Sequence, residues 1–249
     1  MYDLGTMQLV LIVLCSLLIG VSKTGMPTLG ILVVATMASI FPARASIGIV
    51  LPMLITADVI AVTYYRRSVN WRTLISLLPW VLGGLIIGFI VLFFIEASRP
   101  VEIILGIIIL LMIGIQFAKE RSSAQWMAAI PQSSWFVGVM GTLAGFTTMI
   151  GNAAGPIMAI FLLAIALPKQ EFIGTGAWFF LSVNLIKVPL YISLGLITMD
   201  SLTFNVWLIP GILIGTYIGI KSLPYIPQKI FNIIILLLAV FGGIRLLMA

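Results

Sequence analysis

The chain is an almost unbroken succession of apolar runs, at roughly residues 6–22, 26–41, 45–65, 72–95, 100–118, 132–150, 153–167, 170–195, 203–221 and 228–247. Lipid offers the backbone no hydrogen-bond partner, so each run must satisfy its own N–H and C=O groups, and a helix is the way to do so. With 62% hydrophobic and 8% charged residues, the composition lies far outside that of soluble domains. The expected fold class is therefore an all-α polytopic membrane protein, a single integral domain without room for a soluble module. The first run, Gln8 to Val21, is preceded by Tyr2-Asp3 instead of basic residues, which favours a retained span over a cleaved signal peptide.

Two stretches interrupt this pattern, Ser22-Lys23-Thr24-Gly25-Met26-Pro27 and Ile150-Gly151-Asn152-Ala153-Ala154-Gly155-Pro156. Thr24 and Asn152 are N-cap residue types, and a proline follows each within a turn, where its missing N–H costs little. Each stretch thus reads as one helix ending and another beginning, with free N–H groups and a positive dipole end exposed. Interrupted helices in both halves of a chain are the sequence pointer to a transporter's binding site, and a helix N-terminus suits an anion. The plain alternative is a pair of Gly/Pro kinks in ordinary membrane helices.

Charge decides how many runs cross. The second and seventh, of about 15 residues, fall short of the usual ~17–25 for a span. If both cross, giving ten spans, one face collects Arg66, Arg67, Arg72, Lys119, Arg121, Lys169, Lys221 and Lys229, against Arg44, Arg99 and Arg245 on the other. If both are re-entrant, giving eight spans, the same residues divide six against five. Ten spans obey the positive-inside rule and put both termini outside the cytoplasm. This rule also accounts for the net charge of +6, so no nucleic-acid partner is expected.

An internal repeat agrees with that count. A shift of about 129 residues lays Pro27 on Pro156 and Asp58 on Lys187, and nearby shifts lay Gly84 and Gly88 on Gly215 and Gly219. Five spans per half is an odd number, so the second half enters the membrane upside down, as in secondary transporters. The expected organisation is a first five-helix repeat at 1–118, a cytoplasmic linker at 119–131, and a second, inverted repeat at 132–249. The second helix of each repeat is short or broken. Gly83, Gly84, Gly88, Gly211, Gly215 and Gly219 are expected to bring helices close together. Trp71, Trp126 and Trp135 read as interface anchors, and Trp178 as a pocket wall.

Lys23, Asp58 and Lys187 fall within spans or their junctions. A charge at a helix centre costs about 2.5 to 3.5 kcal/mol on insertion scales, so each requires a partner or an aqueous cavity. Lys23 and Lys187 could instead snorkel to the surface; Asp58 is too short to do so. Asp58 and Lys187 are expected to form an ion pair or share a hydrogen-bonded network, the alternative being that Asp58 takes up a proton during transport. Thr175 and Asn184 add polar groups in the eighth run, and an amide has several hydrogen bonds to satisfy. Two lysines, two helix N-termini and one acid suit a small anion.

Histidine is absent and Cys15 is the sole cysteine. That removes Cys/His metal sites, haem ligation, disulfides and Ser-His triads, so neither a cofactor nor an enzymatic role is expected. The expected partners are a small anionic substrate and the lipid bilayer; a homodimer is allowed.

The two breaks, extended to Gly20 and to Gly145, resemble those of the sulfite exporter TauE/SafE family, also called the toluene sulfonate uptake permease family. The Arg66-Arg67-Ser68-Val69-Asn70-Trp71 turn is similar to that family's basic loop, with Asn70 in place of its aspartate. Gly174-Thr175-Gly176-Ala177 resembles the segment following its second break. The resemblance implies a transporter in the bacterial inner membrane that exports or takes up small sulfur-containing anions such as sulfite, sulfoacetate and other organosulfonates. On this reading Ser22, Lys23, Thr24, Gly25, Gly151, Asn152, Ala153, Thr175, Asn184 and Lys187 bind substrate. Backbone N–H groups at Thr24-Gly25 and Asn152-Ala153 hold its oxygens, and Asp58 serves coupling or ion pairing.

Overall fold

The computed structural model describes residues 4–94 and 133–248, with isolated helical positions at 103, 107, 110, 111 and 114. The rest of the fifth expected span, the 119–131 linker, Trp126 and the loop charges Arg99, Lys119 and Arg121 lie outside the described residues, as does the Arg245 side chain. Every described regular element is helical: α1 (Thr6–Thr24), α2 (Gly30–Ile40), α3 (Ala43–Tyr65), α4 (Trp71–Phe94), α5 (Ser134–Gly151), α6 (Gly155–Ala164), α7 (Lys169–Ser193), α8 (Met199–Ser222) and α9 (Gln228–Met248). Short 3-10 turns at Pro27–Leu29 and Leu223–Tyr225 precede α2 and follow α8. Among the described residues six helices are long and apolar enough to cross a membrane, while α2 and α6 are shorter.

Glycines set how these helices meet. A Cβ at Gly20 would lie 2.3 Å from Ile212 O, and one at Gly215 would lie 1.9 Å from Leu17 O. Thus α1 and α8 touch backbone to backbone, and the order of contacts (Ser16 with Gly211, Thr24 with Gly219) makes them parallel. The pair α4 and α5 is built the same way, with Gly84 against Thr142 O and Gly145 against Val81 O, each at 2.1 Å from a built Cβ. In lipid, apolar side chains gain little by meeting one another, so close backbone approach is what holds helices together.

Between these two pairs, α3 and α7 pack antiparallel. Gly48, early in α3, abuts the Leu196 carbonyl just past α7; Gly174, early in α7, abuts the Ser68 carbonyl just past α3. Helix starts match as well: Asn70 Oδ1 accepts from the Thr73 N–H before α4, and Thr198 Oγ1 accepts from the Ser201 N–H before α8. Such features recur about 125–131 residues apart. The recurrence corrects one alignment. Gly48 with Gly174 and Tyr65 with Tyr191 fix the offset between α3 and α7 at about 126, which lays Asp58 on Asn184 instead of Lys187.

Capping supplies a second correction. Thr24 ends α1, and Asn152 is the C-cap of α5 at a left-handed φ of 55°, a conformation asparagine tolerates better than most residues. The N-caps that follow are Met26 and Ala154, neither with a side-chain capping bond. Trp71 and Trp135 stand exposed, as anchors would. Trp178 instead rests against Trp71, with ring centroids 5.1 Å apart, and lines no part of the cavity described below.

Since a Cβ has no room at the paired contacts, Gly84→Val and Gly215→Val are each expected to cost about 1–3 kcal/mol or more through overpacking. A lowered melting temperature in detergent reports this, with Gly83→Ala, where a Cβ meets nothing within 4 Å, melting as wild type. Equal melting of all three would remove glycine contact as the basis of the helix pairs.

Candidate functional site

The two breaks come together. The start of α6 rests on the 3-10 turn after α1, with Gly155 so close that a Cβ there would lie 2.9 Å from Pro27 O. Around this junction are Lys23, Asp58 and Lys187, the charged residues that are buried among those described.

Lys23 Nζ lies 2.9 Å from Asp58 Oδ1 and 3.8 Å from the centroid of the Phe180 ring. Lys23 therefore does not snorkel; a carboxylate and an aromatic face replace its water. The second oxygen, Asp58 Oδ2, accepts from Asn184 Nδ2 at 2.7 Å. Asn184 turns its own carbonyl to Lys187, whose Nζ donates to Asn184 Oδ1 at 3.3 Å, to Thr148 Oγ1 at 3.2 Å and to Asn152 Oδ1. Of the two expected arrangements for Asp58 and Lys187, an ion pair or a shared hydrogen-bonded network, the structure has the second. Lys23 takes the carboxylate, and Asn184 links it to Lys187.

The two lysines differ in one respect. An ammonium carries three donors, and those of Lys187 meet three neutral oxygens, whereas Lys23 faces a carboxylate. Lys187 is fully buried, beside the Tyr191 ring at 5.0 Å. Its Nζ is met by dipoles and has no carboxylate partner of its own.

Tyrosines hold the broken ends. Tyr65 OH donates to Thr24 O at 3.1 Å, and Tyr191 OH donates to Met149 O at 2.7 Å. Each hydroxyl comes from the long helix two elements on and satisfies a carbonyl that a terminating helix leaves open. Asn152 Nδ2 donates to Ile47 O, tying the second break to α3.

Several expected ligands stand elsewhere. The Gly25 N–H donates to Val21 O, and those of Asn152 and Ala153 donate to Thr148 O and Thr147 O. These amides close the turns of α1 and α5 and are not free for an anion. The open N–H groups belong to the first turn of α6, where Gly155 contributes one and Pro156 none. Thr24 Oγ1 bonds to Gly20 O and Thr216 O within the α1–α8 contact. Thr175 Oγ1 accepts from the Asn70 N–H at 2.9 Å and so fastens the start of α4. It lies nine residues before Asn184, about 13 Å along the helix. Gly151 only ends α5, and Ala153 is a buried apolar neighbour.

Ser22, Lys23, Thr148, Asn152, Phe180 and Asn184 line a cavity of about 20 Å³ at the junction. Thr148, Phe180 and both tyrosines escape a reading based on charge and helix punctuation alone. Aligning the halves at about 125 residues would have set Thr148 opposite Lys23 and paired the tyrosines.

An all-helical, multi-pass chain with a polar network buried where two broken helices meet has the form of a membrane transport protein. The model of the family described as Sulfite exporter TauE/SafE matches residues 12–246, and the chain belongs to that family, one of membrane transporters rather than enzymes. Comparisons with curated proteins and with solved structures find no match.

Removing one member of a buried ion pair strands the other, at about 3–5 kcal/mol, whereas replacing both with apolar residues is often neutral. Asp58→Leu is accordingly expected to lower thermal stability sharply, and Lys23→Met/Asp58→Leu to recover most of it. Chemical denaturation in detergent distinguishes this from additive losses, which would show that the pair carries no mutual energy.

Proposed function

We propose that the protein is a secondary transporter that exports a small sulfur-containing anion, such as sulfite, sulfoacetate or another organosulfonate. The family supports the substrate class. The buried ammonium of Lys187, held by neutral oxygens where the breaks meet, is the observation that carries the reading. An anion entering the cavity would meet Lys23, Asn152 and Asn184 on its wall, with Lys187 behind the two amides that accept from it and open N–H groups of the α6 first turn at hand. Lys23 would contribute once released from Asp58.

Helix directions favour ten spans in two inverted repeats. The end of α1 at Thr24 meets the end of α3 at Tyr65, which favours parallel directions for the two helices, and α2 between them would then run back across. The parallel pairs α1–α8 and α4–α5 and the antiparallel pair α3–α7 are the pattern that an inverted five-helix repeat generates. Both termini would then lie outside the cytoplasm of a bacterial inner membrane, and an inside-negative potential would favour anion exit.

A cavity of about 20 Å³ has room for roughly one water, not for a sulfonate group. This favours a carrier, in which the halves must part to admit substrate, over a channel with a standing pore. Purified protein in liposomes should show saturable counterflow of sulfite or a sulfonate. Lys187→Met is expected to reduce it at least tenfold, with Thr175→Val, remote from the junction, retaining it. Flux without counterflow, or full activity in Lys187→Met, would overturn the reading.

A further inference from the structure

The buried charges fix how much negative charge the site accepts. Lys23 and Lys187 contribute two positive charges and Asp58 one negative, and no other charged side chain among the described residues is buried. With both lysines protonated and Asp58 ionised, the site holds one net positive charge. Asp58 acts as a tethered anion satisfying Lys23, and Asn184 joins the two oppositely charged ends. Unbalanced charge in a low-dielectric interior is costly, so the favoured occupant is the one that brings the sum to zero.

We propose that the site selects singly charged anions, and that a doubly charged anion is accepted only with one proton, taken up at Asp58. A monoanion neutralises Lys187 and leaves the Lys23–Asp58 pair intact. A dianion leaves one negative charge in excess until the Asp58 carboxylate accepts a proton; Lys23 is then free for the dianion, and the sum returns to zero. The other charged groups facing Asp58 from the helices packed on α3 are Lys23 of α1 and Lys187 of α7. The Tyr191 phenol stands beside Lys187, while α2 carries no titratable residue and the acid and base of α8, Asp200 and Lys221, sit at its ends. This proposal rests on the junction being the anion site.

Methanesulfonate and sulfate, similar in size and different by one charge, separate the cases. Wild-type protein in detergent is expected to bind methanesulfonate at least tenfold more tightly than sulfate near neutral pH. Calorimetry in buffers of different ionisation heat should show one proton taken up per sulfate and none per methanesulfonate. Asp58→Asn, with a sum of two positive charges, should reverse the preference, and Lys23→Gln/Asp58→Asn, back at one, should restore it. Sulfate bound as tightly as methanesulfonate without proton uptake would overturn the charge rule, as would an unchanged preference in folded Asp58→Asn. The proton count on wild type decides the matter even where that variant does not fold. Binding of neither anion to wild type would overturn the functional reading itself, and the charge rule with it.

Discussion

A charge inside a membrane protein must be answered on the spot, and here the answer shapes the centre of the molecule. Lys23 and Asp58 come from different helices, α1 and α3, and meet at 2.9 Å with almost no exposure. Their contact fixes the depth of one helix against the other, and through Asn184 it reaches α7 and Lys187. Without such pairing each ion would cost several kcal/mol. The breaks in the apolar runs are intelligible in the same terms: ending α1 and α5 there frees polar backbone and places Asn152 where its carbonyl serves Lys187 and its amide serves α3.

Around this centre the scaffold is held by shape more than by chemistry. The helix pairs α1–α8 and α4–α5 close over glycines that leave no room for a Cβ, and α3 crosses α7 with a glycine at each end. Contacts of this kind are stiff along their length yet make few directional bonds, which suits units that move as bodies. The tyrosine bonds from α3 and α7 to the ends of α1 and α5 tie each break to a long helix. Each broken tip is thus held by a long helix of its own.

Much of this was legible in the sequence. Ionisable residues within apolar runs identified Lys23, Asp58 and Lys187, because lipid makes their presence expensive. Gly/Pro punctuation located both breaks, and the small residues of α4 and α8 foretold close helix contact. What the sequence hid was three-dimensional. An offset of three residues between two alignments decides whether Asp58 faces Lys187 or Asn184, and apolar helices align almost equally well at either. Thr24 and Asn152 are apt N-caps by type, but the chain uses them to end helices. Asn152 can do so because asparagine accepts left-handed geometry and its side chain finds partners on two other helices. Thr175 looked like a ligand since it is polar within a span; its oxygen accepts from the Asn70 amide at the start of α4, away from the junction.

The account stands on Lys187 supplying the counter-charge for a transported anion. A crystal structure of the protein with a bound sulfonate, located by the anomalous signal of its sulfur, tests this most directly. The account predicts the sulfur beside Lys187 Nζ, between the end of α5 and the start of α6, with the cavity enlarged around it. A sulfonate seated elsewhere, with Lys187 still bonded to Thr148, Asn152 and Asn184 as in the empty site, would contradict it.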